Sequence, residues 1–198
     1  MVDESRCYQH LTTQGVYQLR DGLMPNNFLI TGNPGVGKTT LIKRLLPHLI
    51  NPAGFYTQEL RDTNGKRVGF EIVRIDTNER EVFAHIEFED MPHVGKYGVN
   101  VDILNQIGVK AIETAIRMGH PIVVDEIGKM ELLSDKFQRA ILEVLDLPNL
   151  FIATLTKSKL PFVTSIKHRS DVEIFYLTRK NKQTILNQLT AIISSFVI

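Results

Sequence analysis

The chain has 198 residues, of which 43% are hydrophobic, and its 23 basic and 22 acidic side chains leave a formal net charge of +1. That length is sufficient for one α/β domain with a substantial core and is short for two. The balanced charge gives no support to nucleic acid as a partner, and the single Cys7 excludes an internal disulfide. No apolar run approaches the roughly 18 residues of a membrane span. We therefore expect a cytoplasmic monomer without a membrane segment.

The first 26 residues are polar and weakly patterned, and we interpret them as an N-terminal extension. A single domain is predicted over residues 27–198. It begins with a short run of strand-forming residues, Phe-Leu-Ile-Thr, at 28–31. After Lys38, apolar side chains recur with a helical period, which predicts a helix that Pro47 should end or kink.

The segment between that strand and that helix fits the pattern G-x-x-x-x-G-K-T of a phosphate-binding loop. Glycine permits the tight turns by which backbone N–H groups approach a polyphosphate, and the following helix N-terminus favours negative charge. Lys38 is expected to reach the β- and γ-phosphates, and the Thr39 hydroxyl to ligate Mg²⁺. The predicted nucleotide contacts in this loop are Gly32, Asn33, Pro34, Gly35, Val36, Gly37, Lys38, Thr39 and Thr40.

Residues 54–88 are predicted to form an antiparallel β-meander inserted into the domain. An Asn-Gly pair at 64–65 separates two strand-like runs, which is a strong hairpin signal. Alternation along the first strand places Glu59 and Arg61 on the same face. This face is a candidate for holding a second substrate; if it is directed at water, it has no such role.

A second informative segment is Pro-Ile-Val-Val-Asp-Glu at 121–126, an apolar strand that ends in two carboxylates. Ligands of open α/β sheets bind at the carboxyl ends of the strands, so Asp125 is expected beside the phosphate-binding loop, where it would hold Mg²⁺ directly or through a water. Glu126 would face the γ-phosphate and orient or deprotonate an attacking water. Lys129 is a further candidate phosphate contact. The alternative for the acidic pair is that it ends a core strand at solvent.

The remaining elements alternate between helices and buried strands. Helices are predicted over residues 102–118, near 137–145 and near 185–196, and strands over 150–155 and 172–177. This alternation predicts an α/β three-layer sandwich, in which a mainly parallel sheet carries helices on both faces and the antiparallel meander is added to it.

The loop is accompanied by more specific motifs, which are Gly-Phe-Tyr-Thr-Gln-Glu-Leu-Arg at 54–61, Val-Gly-Lys-Tyr-Gly-Val-Asn-Val-Asp at 94–102 and Val-Asp-Glu-Ile-Gly-Lys-Met-Glu-Leu at 124–132. With these motifs, the chain resembles the nucleoside-triphosphatases of the THEP1 type over about residues 27–190. The resemblance implies the P-loop NTPase fold. It also implies an Mg²⁺-dependent phosphatase that acts slowly on several nucleoside triphosphates, ATP and GTP among them.

The chain departs from that family after its last predicted strand. The family often shows Thr-x-x-Asn-Arg there, whereas this chain has Thr178-Arg-Lys-Asn181-Lys182. Asn181 and Lys182 are therefore base-side candidates, with a helix start as the alternative. A lysine lacks the planar face with which a guanidinium stacks on a base, which leaves the base preference open. Arg169 aligns with a basic position of the family and is a candidate phosphate contact, with surface solvation as the alternative.

Three functions remain open from the sequence. Hydrolysis, with water as the acceptor and Glu126 as the base, ranks first. A nucleoside or nucleotide kinase would instead transfer the γ-phosphate to a small acceptor. A regulatory switch would use the bound nucleotide to control a partner, and an RNA-associated version would need a local basic patch, for which the candidates are Lys157, Lys159, Lys167 and Arg169.

Overall fold

A computed structural model of the protein describes residues 25–196, and within them nine strands form one sheet. The strands are β1 (Asn27–Gly32), β2 (Ala53–Arg61), β3 (Arg67–Arg74), β4 (Arg80–His85), β5 (His93–Val94), β6 (Tyr97–Val99), β7 (Ile122–Ile127), β8 (Phe151–Leu155) and β9 (Val172–Leu177). The α-helices are α1 (Lys38–Leu45), α2 (Val101–Ile103), α3 (Lys110–Met118), α4 (Asp135–Leu145), α5 (Pro161–Lys167) and α6 (Lys182–Phe196). A π-helical segment, Leu104–Val109, joins α2 to α3, and short 3₁₀ turns cover Leu46–His48 and Glu131–Leu133.

The sheet has the strand order β5-β6-β4-β3-β2-β7-β8-β1-β9 and two halves of different character. Neighbours from β2 through β7, β8 and β1 to β9 are parallel. Neighbours from β2 through β3, β4 and β6 to β5 are antiparallel. The sheet is therefore mixed, and the prediction of a mainly parallel sheet describes only one half of it.

Strand β2 joins the two halves. Its first residues pair in parallel with β7, from Ala53 opposite Ile122 to Tyr56 opposite Asp125, while the strand pairs antiparallel with β3 along its length. Strands β2, β3 and β4, which lie in the predicted segment 54–88 except for Ala53, pair antiparallel in chain order and continue the central sheet.

Helices cover both faces of the sheet. Side chains alternate along each buried strand, so successive residues pack in two different cores. In β1, Phe28 and Ile30 pack in a core with α1 and α6, whereas Leu29 packs on the opposite side with α3 and α4. The three central parallel strands β1, β7 and β8 are buried almost throughout, as expected for strands that lie between two helical layers. Because β7, β8 and β1 are parallel neighbours in the sheet, their carboxyl ends lie next to one another at one edge.

Several elements differ from the sequence predictions. The hairpin of β5 and β6 was not predicted, because its strands have two and three residues and depend on pairing with β4. Helix α5 was not predicted either, because its seven residues give too few turns for a periodic pattern. Pro47 lies in the 3₁₀ turn that directly follows α1, where an interruption of the helix was expected.

Most of the predicted N-terminal extension, residues 1–24, lies outside the described residues. Asn26 nevertheless belongs to the domain, since its side-chain amide donates to the carbonyls of Leu147 (2.6 Å) and Asn149 (2.9 Å). Asn26, which was assigned to the extension, is therefore anchored to the domain by its side chain. Of the helices found in residues 25–196, none is both long and apolar enough to cross a membrane.

Candidate active site

The phosphate-binding loop leaves the carboxyl end of β1 and runs directly into α1. Gly37, the residue before α1, has a φ of +105°, which a side-chain-bearing residue rarely adopts. A Cβ on Gly32 would lie 2.6 Å from the Leu177 carbonyl oxygen, so the start of the loop is pressed against β9. The glycines are thus required by the backbone path, and the exposed turn between them, residues 33–35, faces solvent at the edge of the sheet.

Asp125 lies in β7, and its side chain is almost fully buried, with 1% of the residue exposed. The Thr154 hydroxyl, from the adjacent strand β8, donates to Oδ1 of Asp125 (2.5 Å). Burial raises the pKa of Asp125, while the nearby hydroxyls of Thr154 and Thr39 and the charge of Lys38 act in the opposite direction. Oδ2 of Asp125 is buried and has no hydrogen-bond partner among residues 25–196.

Glu126 lies beside the lysine of the loop. Nζ of Lys38 is 3.2 Å from Oε2 of Glu126, and the two side chains are 10% and 28% exposed. Burial raises the pKa of Glu126, and the negative charge of Asp125 adds to this effect, whereas the Lys38 ammonium opposes it. The two predicted catalytic residues are therefore in contact, at a place that solvent still reaches.

A third carboxyl group belongs to this cluster and was not predicted. Glu131 is 5% exposed, and burial raises its pKa to about 8, although the backbone N–H groups of Glu131 and Gly128 favour the ionised form. A Cβ on Gly128 would lie 2.8 Å from Oε2 of Glu131 and 3.7 Å from the carboxyl carbon of Glu126. Gly128 thus separates the two carboxyl groups. The only sequence signal for Glu131 was its place at the end of the motif at 124–132.

Of the two base-side candidates, Lys182 lies against the phosphate-binding loop and Asn181 bonds within its own turn. Nζ of Lys182 would be 3.2 Å from a Cβ on Gly37, which places this ammonium against the end of the loop. The amide of Asn181 is used within its own turn, where it accepts from the Thr178 N–H (2.7 Å) and donates to the Tyr176 carbonyl (2.9 Å). Asn181 directly precedes α6, as in the helix-start alternative, but its amide bonds to the turn before it and does not cap α6.

Lys129 lines an open groove of about 620 Å³ beside the loop that follows β7. Glu59 accepts from the guanidinium groups of Arg61 and Arg67, and Arg67 also donates to the Tyr97 hydroxyl (3.0 Å). The proposed acceptor face of Glu59 and Arg61 is therefore an ion-pair network on the antiparallel half of the sheet.

Arg169 lies away from the phosphate-binding loop, which corrects its prediction as a phosphate contact. Its guanidinium donates to Asp171 (2.6 and 2.9 Å), to Asp146 (2.6 Å) and to the Leu145 carbonyl (3.2 Å). The Asp171 carboxylate raises the pKa of Arg169 and keeps it charged. The physical reason is topological: the connection from α5 to β9 precedes a strand, so it lies at the amino-terminal edge of the parallel sheet, opposite the loop.

Replacing Arg169 with glutamine is therefore expected to leave phosphate release from ATP within about twofold of the unmodified protein. The same change should lower the free energy of unfolding by about 1–3 kcal/mol, because two carboxylates and a backbone carbonyl lose a donor. Urea unfolding and a phosphate-release assay measure the two effects separately. A large loss of turnover without a loss of stability would instead support a role for Arg169 in catalysis.

A glycine loop between a buried parallel strand and a helix, faced by a lysine–glutamate pair and a buried aspartate, defines a P-loop protein of the nucleotide-hydrolysing class. The comparisons with known proteins agree with this class. A family model described as NTPase matches residues 27–190, and the chain belongs to this nucleoside-triphosphatase family.

Two relatives show how closely the chain matches its family. It is 47% identical over 165 residues to the nucleoside-triphosphatase THEP1 of Thermotoga sp. (strain RQ2), covering 83% of this chain and 94% of that protein. It is 34% identical over 189 residues to the cancer-related nucleoside-triphosphatase homolog of Mus musculus, covering 87% of this chain and 98% of that protein.

Two solved structures share the fold. The crystal structure of THEP1 from Aquifex aeolicus superposes with a TM-score of 0.76 at 32% identity, over 84% of this chain and 98% of that chain. The solution structure of a human cancer-related nucleoside triphosphatase gives a TM-score of 0.71 at 31% identity, over 85% and 97% of the two chains.

Proposed function

We propose that the protein catalyses the Mg²⁺-dependent hydrolysis of nucleoside 5′-triphosphates to diphosphate and phosphate, slowly and with broad base specificity. The observation that carries this proposal is the 3.2 Å contact between Lys38 of the phosphate-binding loop and Glu126, next to the buried Asp125. The relatives named as nucleoside-triphosphatases support the same reaction.

In this mechanism the loop binds and orients the polyphosphate. Its backbone N–H groups and the N-terminus of α1 favour negative charge, and Lys38 neutralises the β- and γ-phosphates. Phosphoryl transfer depends mainly on such positioning and charge neutralisation. Because Lys38 bonds to Glu126 in this structure, an entering γ-phosphate would share the ammonium with that carboxylate.

The residues fit Mg²⁺, a hard cation that prefers oxygen ligands and usually keeps several waters. Asp125 offers Oδ2, a buried oxygen without a hydrogen-bond partner among residues 25–196, and the Thr39 hydroxyl lies close enough to lower the pKa of Asp125. The described part of the chain contains no group of three or more His, Cys, Asp or Glu side chains that could hold a metal ion. When bound, Mg²⁺ neutralises charge on the phosphate oxygens.

Glu126 is the proposed general base. A water oxygen forms the new bond to the γ-phosphorus, its proton passes to the Glu126 carboxylate, and the bond from that phosphorus to the β–γ bridging oxygen breaks, which releases the diphosphate. A raised pKa suits this role, because it brings the basicity of the carboxylate closer to the working pH.

Broad specificity and slow turnover agree with the remaining side chains. Lys182 brings a point charge rather than a planar guanidinium to the end of the loop, and the Asn181 amide is occupied within its own turn. An arginine finger contributes roughly 10³–10⁵ to turnover in related chemistry, and Arg169 lies elsewhere. We therefore propose a turnover number below the roughly 10 s⁻¹ that is typical of enzymes.

The test is phosphate release from ATP, GTP, CTP and UTP, each measured with Mg²⁺ and with excess chelator. We expect all four to be hydrolysed at rates within about tenfold of one another, and chelation to abolish the reaction. Lys38→Ala, purified in the same way, should release almost no phosphate, so any release that remains measures contaminating phosphatases. Tight nucleotide binding without phosphate release would overturn the proposal and favour a regulatory switch.

A nucleoside or nucleotide kinase is the second candidate, because the groove beside Lys129 is large enough for a small acceptor. It opens between Gly95 of the β5–β6 hairpin and Phe162 of α5. If this groove binds an acceptor, adding nucleosides or nucleoside monophosphates should raise ATP consumption more than about tenfold and yield a phosphorylated product. Unchanged consumption with each of them would leave water as the acceptor.

A further inference from the structure

The segment after β8 brings a second lysine to the phosphate-binding loop. Strand β8 lies between β1 and β7 in the sheet, so its carboxyl end emerges between the loop and the acidic pair. Lys157 is the second residue after this strand. Its ammonium donates a hydrogen bond to Oδ1 of Asn33 (3.0 Å), in the first turn of the loop.

The charge of Lys157 is not neutralised by the protein. Its side chain is exposed, and in the part of the chain from residue 25 to residue 196 no carboxylate forms an ion pair with it. By contrast, Lys38 is paired with Glu126. Lys167 lies near enough that Lys157 adds to the effect of burial in lowering the pKa of Lys167. The exposed positive charge of Lys157 favours the approach of an anion to this side of the loop.

Lys157 and Lys182 approach opposite ends of the loop. Lys182 follows β9, on the far side of β1, and lies against Gly37. Lys157 follows β8, on the side of β1 that faces β7 and therefore Glu126. If Glu126 activates the attacking water, the γ-phosphate lies on the Lys157 side.

We propose that Lys157 is a further catalytic residue, which leaves Asn33 when a triphosphate binds and donates to a γ-phosphate oxygen. This inference rests on the proposed function for the identity of the reacting phosphate. An anionic phosphate oxygen is a stronger acceptor than the neutral amide oxygen of Asn33. The flexible four-carbon stem of lysine allows a shift over a short distance. Lys157 thereby supplies from the same chain part of the charge that an arginine finger supplies elsewhere.

The decisive experiment compares Lys157→Ala with Lys157→Arg and with the matched control Lys159→Ala, an exposed lysine on the same segment. Affinities for a non-hydrolysable triphosphate analogue and for the corresponding diphosphate are measured with Mg²⁺ by titration calorimetry. For Lys157→Ala, binding of the analogue should weaken about tenfold, while binding of the diphosphate changes less than about twofold. Single-turnover phosphate release should fall about 10²-fold, as for the loss of one transition-state donor.

The two remaining variants complete the expected result. Lys157→Arg should restore most of the rate, since it keeps the charge, and Lys159→Ala should match the unmodified protein. An equal loss of affinity for the analogue and the diphosphate would show that Lys157 only tethers Asn33 and would overturn the inference, as would no change in either.

The outcome separates this inference from the proposed function. If the unmodified protein hydrolyses no triphosphate but Lys157→Ala still selectively loses affinity for the analogue, hydrolysis fails and the γ-phosphate contact stands. If hydrolysis occurs and Lys157→Ala preserves it, the inference fails and hydrolysis stands. Circular dichroism melting of each variant is the control for folding, and we expect these exposed substitutions to leave the melting temperature unchanged.

Discussion

Replacing Glu126 with glutamine is expected to lower single-turnover phosphate release by about 10²–10⁴-fold, the usual contribution of a general base. Glutamine has nearly the same size and shape as glutamate but cannot accept the proton of the attacking water. The change also frees Lys38 from its 3.2 Å ion pair, so the ammonium becomes fully available to phosphate. Triphosphate binding should therefore be preserved or become tighter while the chemical step slows.

Lys38→Ala should also slow turnover, but it removes the cation that holds the phosphates and should therefore weaken triphosphate binding. Rapid-quench kinetics and equilibrium binding with a fluorescent analogue distinguish the two variants. Glu143→Gln is the matched control, because Glu143 is exposed on α4 and lies outside the site. A rate for Glu126→Gln within about threefold of the unmodified protein would exclude Glu126 as the base.

The parts of the site that sequence reasoning located depend on local patterns. The phosphate-binding loop was readable because a strand, fixed glycines, a lysine and a helix follow one another within a short segment. Asp125 and Glu126 were readable because an apolar run ends in two charges, and the carboxyl ends of parallel strands meet at one edge. These two local facts place the loop and the acidic pair at the same edge of the sheet, whereas the 3.2 Å contact between Lys38 and Glu126 was not itself predicted.

The parts that sequence reasoning missed depend on strand order and on burial. Lys157 meets Asn33 only because β8 lies beside β1, which no local pattern states. Arg169 was assigned from its resemblance to a basic position of the family, although the strand predicted at 172–177 already placed it before the amino end of that strand. The hairpin of β5 and β6 exists through its pairing with β4, so its short segments carry no strand signal of their own.

The burial of Glu131 was likewise not readable from the sequence, and it makes the stability of the protein depend on pH. Its carboxyl group is buried, and its pKa is raised to about 8 from the ordinary value of 4.5. Below the lower value the carboxyl is protonated in both the folded and the unfolded protein. Between the two values only the folded protein keeps the proton, so the free energy of unfolding falls as the pH rises through this interval. Above the upper value the loss is complete.

Glu131→Gln removes this titration while keeping an oxygen that can accept from the Gly128 N–H. Near pH 5 the variant and the unmodified protein should have similar free energies of unfolding, to within about 1 kcal/mol. As the pH rises from 5 to about 8.5, the variant should gain on the unmodified protein by about 4 kcal/mol, which is most of the free energy that corresponds to the pKa shift. Urea unfolding at several pH values measures the difference, and Glu113→Gln, on the exposed side of α3, is the matched control. A difference between Glu131→Gln and the unmodified protein that stays constant over this range would mean that Glu131 is ionised in the folded state, held by the N–H groups of its own turn rather than by a proton.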